Sequence, residues 1–257
     1  MPGRSVLALG PAGTLLAVGY RLKQTKPGRQ LADLLVRQGP LPAAGTWTEL
    51  VAEAERHRVH LFLEHRLQTL QITPPPGAAR ELQLGRLAWL AKKRAWMEAL
   101  DRVAETAGMT STPVIVMKGP QLVDRLPYPP DTRTFRDLDL LVPPQDFEGF
   151  FKGLKAANFE ITPGPYSDIS TSEIIRWELP LTLSPKERPG IHLDIHLSPI
   201  HRLEAFYVSP DGLWERSVPW RGALRQFSDA DFLLLLFSHD RRSPLASNFQ
   251  KASVRGL

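Results

Sequence analysis

Cysteine is absent from this 257-residue chain, and its absence removes whole classes of chemistry at once. No disulfide framework can staple the fold and no thiolate can hold zinc, so any metal must be bound by oxygen or imidazole. A chain without thiols fits a reducing compartment, and the expected location is cytoplasmic. Also missing is any run of about 20 uninterrupted apolar residues, the length a bilayer span demands. The chain is therefore expected to be soluble, with no membrane partner. Its one early apolar stretch, Ser5 to Tyr20 behind Arg4, is interrupted by Gly10, Pro11 and Gly13. That stretch reads as an N-terminal extension rather than a secretory leader.

What is present describes a globular protein. Hydrophobic residues make up 42% and charged residues 23%, enough of each to bury a core and keep a solvated surface. The length suits one large domain or two small ones. A formal charge of +5 favours polyanionic ligands such as nucleotides, RNA or acidic lipid surfaces, although the basic residues are spread along the chain.

Four segments of different texture follow one another: an N-terminal extension (1–27), a helical domain (28–108), a mixed-sheet domain (109–227) and a C-terminal helical segment with a basic tail (228–257). In the helical domain, Thr46-Trp47-Thr48-Glu49 has the form of a capping box, with Trp47, Leu50, Val51 and Ala54 recurring at the spacing of one helix face. A second helix is expected from Val59 to Leu70, ended by Pro74-Pro75-Pro76-Gly77. A long helix should run from Ala78 to Ala107 on a stripe of Leu87, Leu90, Met97, Leu100 and Ala104. His57, His60 and His65 read as solvated or capping imidazoles, because His60 and His65 lack the i, i+4 spacing that presents two imidazoles to one ion.

Beyond Gly108 strands alternate with short helices. A short strand at Pro113–Met117 leads through Lys118-Gly119-Pro120 into a helix at 121–126, and later comes a helix carrying the stripe Phe147, Phe150, Phe151 and Leu154. Further strands are expected at Ile174–Leu183, with Pro180 marking an edge or bulge, and at Ile191–Leu197. The fold class is α+β: a helical N-terminal region, then a small mixed sheet with helices on one side.

The most informative stretch is Asp137-Leu138-Asp139-Leu140-Leu141-Val142. On a strand, Asp137 and Asp139 point to one face about 6 to 7 Å apart at the backbone, while Leu138 and Leu140 enter the core on the other. Two ionised carboxylates so placed repel and are poorly solvated unless cations bridge them. In Ile191-His192-Leu193-Asp194-Ile195-His196-Leu197 the alternation is strict, so Asp194 can be presented to the same metals from another strand. Three carboxylates suit two Mg²⁺ ions, with Mn²⁺ as a substitute. One ion would polarise an attacking hydroxyl and the other neutralise a triphosphate, with Asp194 as the acceptor of the hydroxyl proton. Lys118 and Gly119, ahead of a short helix, offer charge and close backbone approach to a phosphate, and Arg133 and Arg136 could steady a triphosphate or leaving pyrophosphate. A transition-metal site at His192, Asp194 and His196 is disfavoured, because ligands alternating along one flat strand diverge.

Val116-Met117-Lys118-Gly119, Tyr128, Arg133, the acidic strand, Ala157-Asn158-Phe159 and Leu193-Asp194-Ile195-His196 together resemble the uncharacterised nucleotidyltransferase family of the DNA polymerase β-like superfamily. The likeness takes in Gly39-Pro40-Leu41, Trp47 and Ala54-Glu55-Arg56-His57, and covers about residue 30 to about 240. It implies a small mixed sheet, two magnesium ions and transfer of a nucleoside monophosphate from a nucleoside triphosphate such as ATP. Metal binding is carried over to Asp137, Asp139 and Asp194, and nucleotide binding to Lys118 and Gly119. The acceptor would be a small molecule, a peptide or RNA.

Three departures stand out. Pro120 replaces the residue whose N–H usually follows the glycine, Arg136 stands where glycine is common, and the family pattern is left after about His239-Asp240. Ser228-Asp229-Ala230-Asp231 opens an apolar helix through Phe237, which reads as a truncated subdomain covered by a protein partner or by self-association. The leading expectation is a magnesium-dependent nucleotidyltransferase. The alternative is a catalytically impaired nucleotide-binding or interaction module on the same fold.

Overall fold

The structure, a computed structural model, describes residues 25–37, 46–125, 129, 131–164, 166–199 and 212–240. The apolar stretch at 5–20, Gly39-Pro40-Leu41, Tyr128 and the basic tail after residue 240 lie outside them. The described residues fall into two compact units. One ends at Trp96 and takes in Leu122–Phe135; the other comprises Met97–Gln121 and the chain from Arg136 onward.

The first unit is helical, with α1 (Lys26–Arg37), α2 (Trp47–Arg56), α3 (His60–Thr69) and the N-terminal part of α4 (Pro76–Met109). Leu31, Leu34 and Leu35 of α1, Trp47, Leu50, Val51 and Ala54 of α2, and Leu63 and Leu67 of α3 are buried in one cluster with Ala78 and Leu82 of α4. The apolar face read for α2 is thus the buried one. Its capping box does not form: Thr46 sits in a helical conformation and its side chain makes no capping hydrogen bond. The three prolines stop α3, yet the third of them begins α4, as proline's fixed φ and missing N–H allow at a first helical position.

The stripe expected on α4 is displaced. Leu87 is 52% exposed, whereas Leu82, Trp89, Trp96 and Val103 are buried at a strict seven-residue spacing. Trp89 and Trp96 both pack on Phe135 in T-shaped contacts, with ring centroids 5.0 and 5.7 Å apart. Indoles cover more apolar area than leucines, so they decide which face turns inward. Of the histidines, His57 pairs with Glu53 at 3.3 Å, His60 packs its ring by Gly85 and His65 is exposed.

The second unit is built on a seven-stranded mixed sheet in the order β3-β4-β5-β2-β1-β7-β6. Its strands are β1 (Val114–Val116), β2 (Asp137–Leu141), β3 (Phe159–Ile161), β4 (Leu181–Pro185), β5 (His192–His196), β6 (Val218–Arg221) and β7 (Leu224–Gln226). β2 runs parallel to β5 and antiparallel to β1; β1 runs parallel to β7. Leu138 and Leu140 of β2 and Leu193 and Ile195 of β5 are fully buried on one face, as strict alternation requires. Between strands lie α5 (Pro120–Arg125) and α6 (Phe147–Ala156), whose four apolar residues Phe147, Phe150, Phe151 and Leu154 are all buried. Gly153 lets α6 approach α4: a Cβ there would lie 2.8 Å from Thr106 Cγ2.

One expected strand is largely a helix. α7 (Thr171–Trp177) occupies the first part of the 174–183 segment, and strand structure begins only at Leu181, directly after Pro180. Ser170 and Glu173 explain the helix, for they form a full capping box that satisfies backbone donors at both positions. α8 (Leu213–Arg216) and α9 (Asp229–Asp240) complete the unit. Asp231 in the first turn of α9 accepts two hydrogen bonds from Arg216, at 3.0 and 2.9 Å, and one from Ser228. No helix among the described residues is long and apolar enough to cross a membrane.

Candidate active site

Parallel pairing of β2 with β5 sets the geometry. Asp139 is the register partner of Asp194, and Asp137 that of His192. Residues in register on neighbouring strands share a face, so Asp137, Asp139 and Asp194 stand together on the side opposite the buried leucines. Burial first, and then the charges of Asp139 and Asp194, push the Asp137 carboxyl above its ordinary value, with Lys118 pulling the other way. Three carboxylates within mutual electrostatic reach form a site that favours cations.

Two of the carboxylates have side-chain partners. Asp139 is nearly buried; its Oδ1 lies 3.1 Å from His196 Nε2 and its Oδ2 3.6 Å from Lys118 Nζ. Asp194 Oδ1 accepts a 2.6 Å hydrogen bond from Thr182 Oγ1, its register partner on β4. His196 was legible as a face-mate of Asp194 but not as a partner of Asp139. Thr182 carries no sequence signal, since its role depends on the β4–β5 register.

Lys118 reaches the site through backbone pairing. The Met117 N–H donates to the Asp139 carbonyl at 2.8 Å, so the chain leaves β1 beside the acidic pair. Gly119 has φ of 62°, where a side chain would cost about 1 kcal/mol or more. Pro120 then opens α5 at its first position, where its fixed φ suits a helix start and its missing N–H breaks no intrahelical hydrogen bond. Fully buried Gln121 donates its side-chain amide to the Val116 carbonyl and ties this turn back to β1. Sequence reasoning missed that tie. Arg136 is exposed beside Asp137, and Arg133 lies half-buried in the helical unit.

On the β5 side of the acidic pair opens a cavity of about 420 Å³. Its walls include Asp137, Asp194, His192, Thr182, Tyr166, Thr162 and Arg136.

The donor set is carboxylate oxygen with imidazole nearby, which matches Mg²⁺ or Mn²⁺ in hardness. As the side chains stand, no three His, Asp or Glu residues among the described ones converge as a metal cage. Two of the three carboxylates already face each other in register, so the fit rests on donor type and backbone placement. Ion binding would compete with Lys118 for Asp139.

A family model for an uncharacterised nucleotidyltransferase matches residues 43–246. The chain belongs to this family. Neither the curated proteins nor the solved structures contain a match. Membership in this family supports transfer of a nucleotide as the general chemistry, and the mixed sheet is the kind of domain the resemblance implies. The match takes in α2, α3, α4 and every strand, so both units belong to the family's pattern.

Two expectations follow from the contacts. Replacing Thr182 with Val keeps shape but removes the hydrogen bond that orients Asp194. Transfer should fall about 10-fold or more, as loss of a ligand's orienting partner usually costs, with unchanged stabilisation by nucleotide. For Asp137 the sign runs against the charged form. Folding raises its carboxyl above the unfolded value, so the stability it contributes is present below the unfolded value and lost as pH rises through the folded one. Asp137→Asn should therefore melt higher than wild type at neutral pH without metal, and the gap should close as pH falls toward the unfolded carboxyl range. Thermal melts over a pH series read this directly.

Proposed function

We propose that the chain transfers a nucleoside monophosphate from a nucleoside triphosphate to an acceptor hydroxyl or phosphate in a magnesium-dependent reaction. The register pairing of Asp139 with Asp194, with Asp137 on the same face, is the observation that carries this reading. Asp137, Asp139 and Asp194 would hold the ions, which supply Lewis-acid stabilisation of the charge that builds up on the phosphates and the attacking oxygen. Lys118 neutralises the triphosphate end, and the turn at Gly119 allows close backbone approach.

Asp194 has a specific task. Thr182 occupies its Oδ1, which leaves Oδ2 for the acceptor hydroxyl. The acceptor oxygen attacks the α-phosphorus, its proton passes to Asp194, the bond to the β-phosphate oxygen breaks and pyrophosphate leaves. His196 holds Asp139 in place, a positioning role.

A second reading, an impaired nucleotide-binding module, is favoured by Pro120, which withholds one N–H where a triphosphate is gripped. One experiment separates the two. Purified protein is incubated with each α-labelled nucleoside triphosphate, Mg²⁺ or Mn²⁺ and a cell extract, and label on any acceptor is scored. Thermal stabilisation by nucleotide and metal is measured alongside, and a ligand at about 100 times its dissociation constant should add about 2.7 kcal/mol. Stabilisation without label would favour the module, and neither response would remove both readings.

A further inference from the structure

The cavity on the β5 side differs in chemistry from the Lys118 side, and that difference carries an inference that rests on the transfer reading. In the sheet, β1 with Lys118 after it flanks one side of β2, while β5 and β4 lie on the other. The cavity opens over β2, β5 and β4, so the acidic pair stands between the phosphate-side lysine and the cavity. In-line displacement needs the leaving pyrophosphate and the attacking group on opposite sides of the α-phosphorus. The cavity is placed for the acceptor.

Its walls say what kind. A volume of about 420 Å³ suits a single ring or a short chain, not a helix or a folded partner. Thr182 and Asp194 line the cavity, where an attacking hydroxyl would need to lie, and Tyr166 offers an aromatic wall. An exposed guanidinium, Arg136, stands on the same cavity, engaged in no hydrogen bond or ion pair among the described residues although Asp137 is its chain neighbour. His192 lines the wall as well, with its Nδ1 buried and unpartnered. A forked cation over one small cavity matches a compact anion.

We infer that the cavity is the acceptor pocket, and that Arg136 selects a small acceptor carrying a phosphate or carboxylate beside its reactive hydroxyl. Arg136 then serves the acceptor and not the nucleotide.

The test uses full-length protein and four probes of one size class: glycerol 3-phosphate, ribose 5-phosphate, glycerate and uncharged glycerol. Binding is read by ligand-observed NMR titration in wild type and Arg136→Gln, with the thermal shift from Mg²⁺ and nucleoside triphosphate measured on both. The expected result is at least one anionic probe binding about 10-fold tighter than glycerol, that preference lost in Arg136→Gln, and the nucleotide shift unchanged. Preference for the phosphates or for glycerate tells the two anions apart. Equal binding of charged and neutral probes overturns the inference, as does a preference that survives in Arg136→Gln. A variant that loses the nucleotide shift instead returns Arg136 to the triphosphate. Should nucleotide shift neither protein while the anionic probes still bind through Arg136, the transfer reading falls and the anion pocket stands.

Discussion

Asp139→Asn is expected to reduce transfer of α-labelled nucleotide by at least about 100-fold while leaving the fold intact. Changing residues that merely orient metal ligands costs about 10- to 100-fold, so losing a ligand's charge should cost no less. Asparagine keeps the shape and can still meet His196 Nε2, which lies 3.1 Å from Asp139 Oδ1. What it loses is the negative charge that would hold an ion, together with a 3.6 Å pairing to a partly exposed Lys118. Such a pairing contributes about 1 kcal/mol or less, and its loss is offset by relief of the repulsion between Asp139 and Asp137, so the melting transition should barely move. Asp194→Asn should lose transfer to a similar degree, because the amide cannot take the acceptor proton at Oδ2. Equal labelling by wild type and the Asp139 variant would sink the metal-dependent mechanism, whatever nucleotide binding survives.

How far the site could be read in the sequence follows from the reach of each interaction. Alternation along a single strand is local, so Asp137 and Asp139 on one face, and His192, Asp194 and His196 on another, were legible before any pairing was known. The α6 stripe was legible for the same reason, its period of 3.6 written out in four aromatic and aliphatic residues. Pairing is not local. That Asp139 faces Asp194 directly depends on a parallel register between strands far apart in the chain, and that Thr182 holds Asp194 depends on the register of an antiparallel pair whose connection fixes neither partner by itself. Nothing in either segment alone specifies those.

Local signals also competed. Thr46 and Glu49 had the letters of a capping box, but Thr46 adopts helical angles and makes no cap, whereas Ser170 and Glu173 form a real one in a segment whose Ile174 and Ile175 read as strand. Two adjacent isoleucines cannot both be core residues of a half-buried strand, and a box four residues wide was the better guide. The β6–β7 hairpin went unread because β6 is mostly exposed and presents almost no apolar alternation. On α4 the choice of leucines over tryptophans failed because area, not the count of apolar letters, decides the buried face.

Phe147→Ala should cost about 4 kcal/mol, a loss in the range of the largest single changes in a protein core. Phe147 is fully buried at the start of α6 and stacks on Phe151 with ring centroids 5.7 Å apart and planes 8° from parallel. Removing a buried Phe ring costs about 3 to 5 kcal/mol from lost transfer energy and the cavity left behind, and the lost ring pair adds about 0.5 to 1.5. Set against a typical stability of 5 to 15 kcal/mol, that is about a quarter or more. In urea the midpoint should fall without a change in slope, because the surface exposed on unfolding is nearly the same. The chain turns into α6 only a few residues after β2, at Val142-Pro143 and the 3₁₀ turn Pro144–Asp146, so this ring anchors the exit of the acidic strand. Phe147→Leu keeps most of the volume and should lose only about 1 kcal/mol. The pair of variants separates anchoring from chemistry: per folded molecule, Phe147→Leu should transfer label as wild type does, whereas Asp139→Asn should fail with its melting curve unchanged. If Phe147→Leu lost transfer while folded, the position of α6 and not its stability would govern the acidic strand.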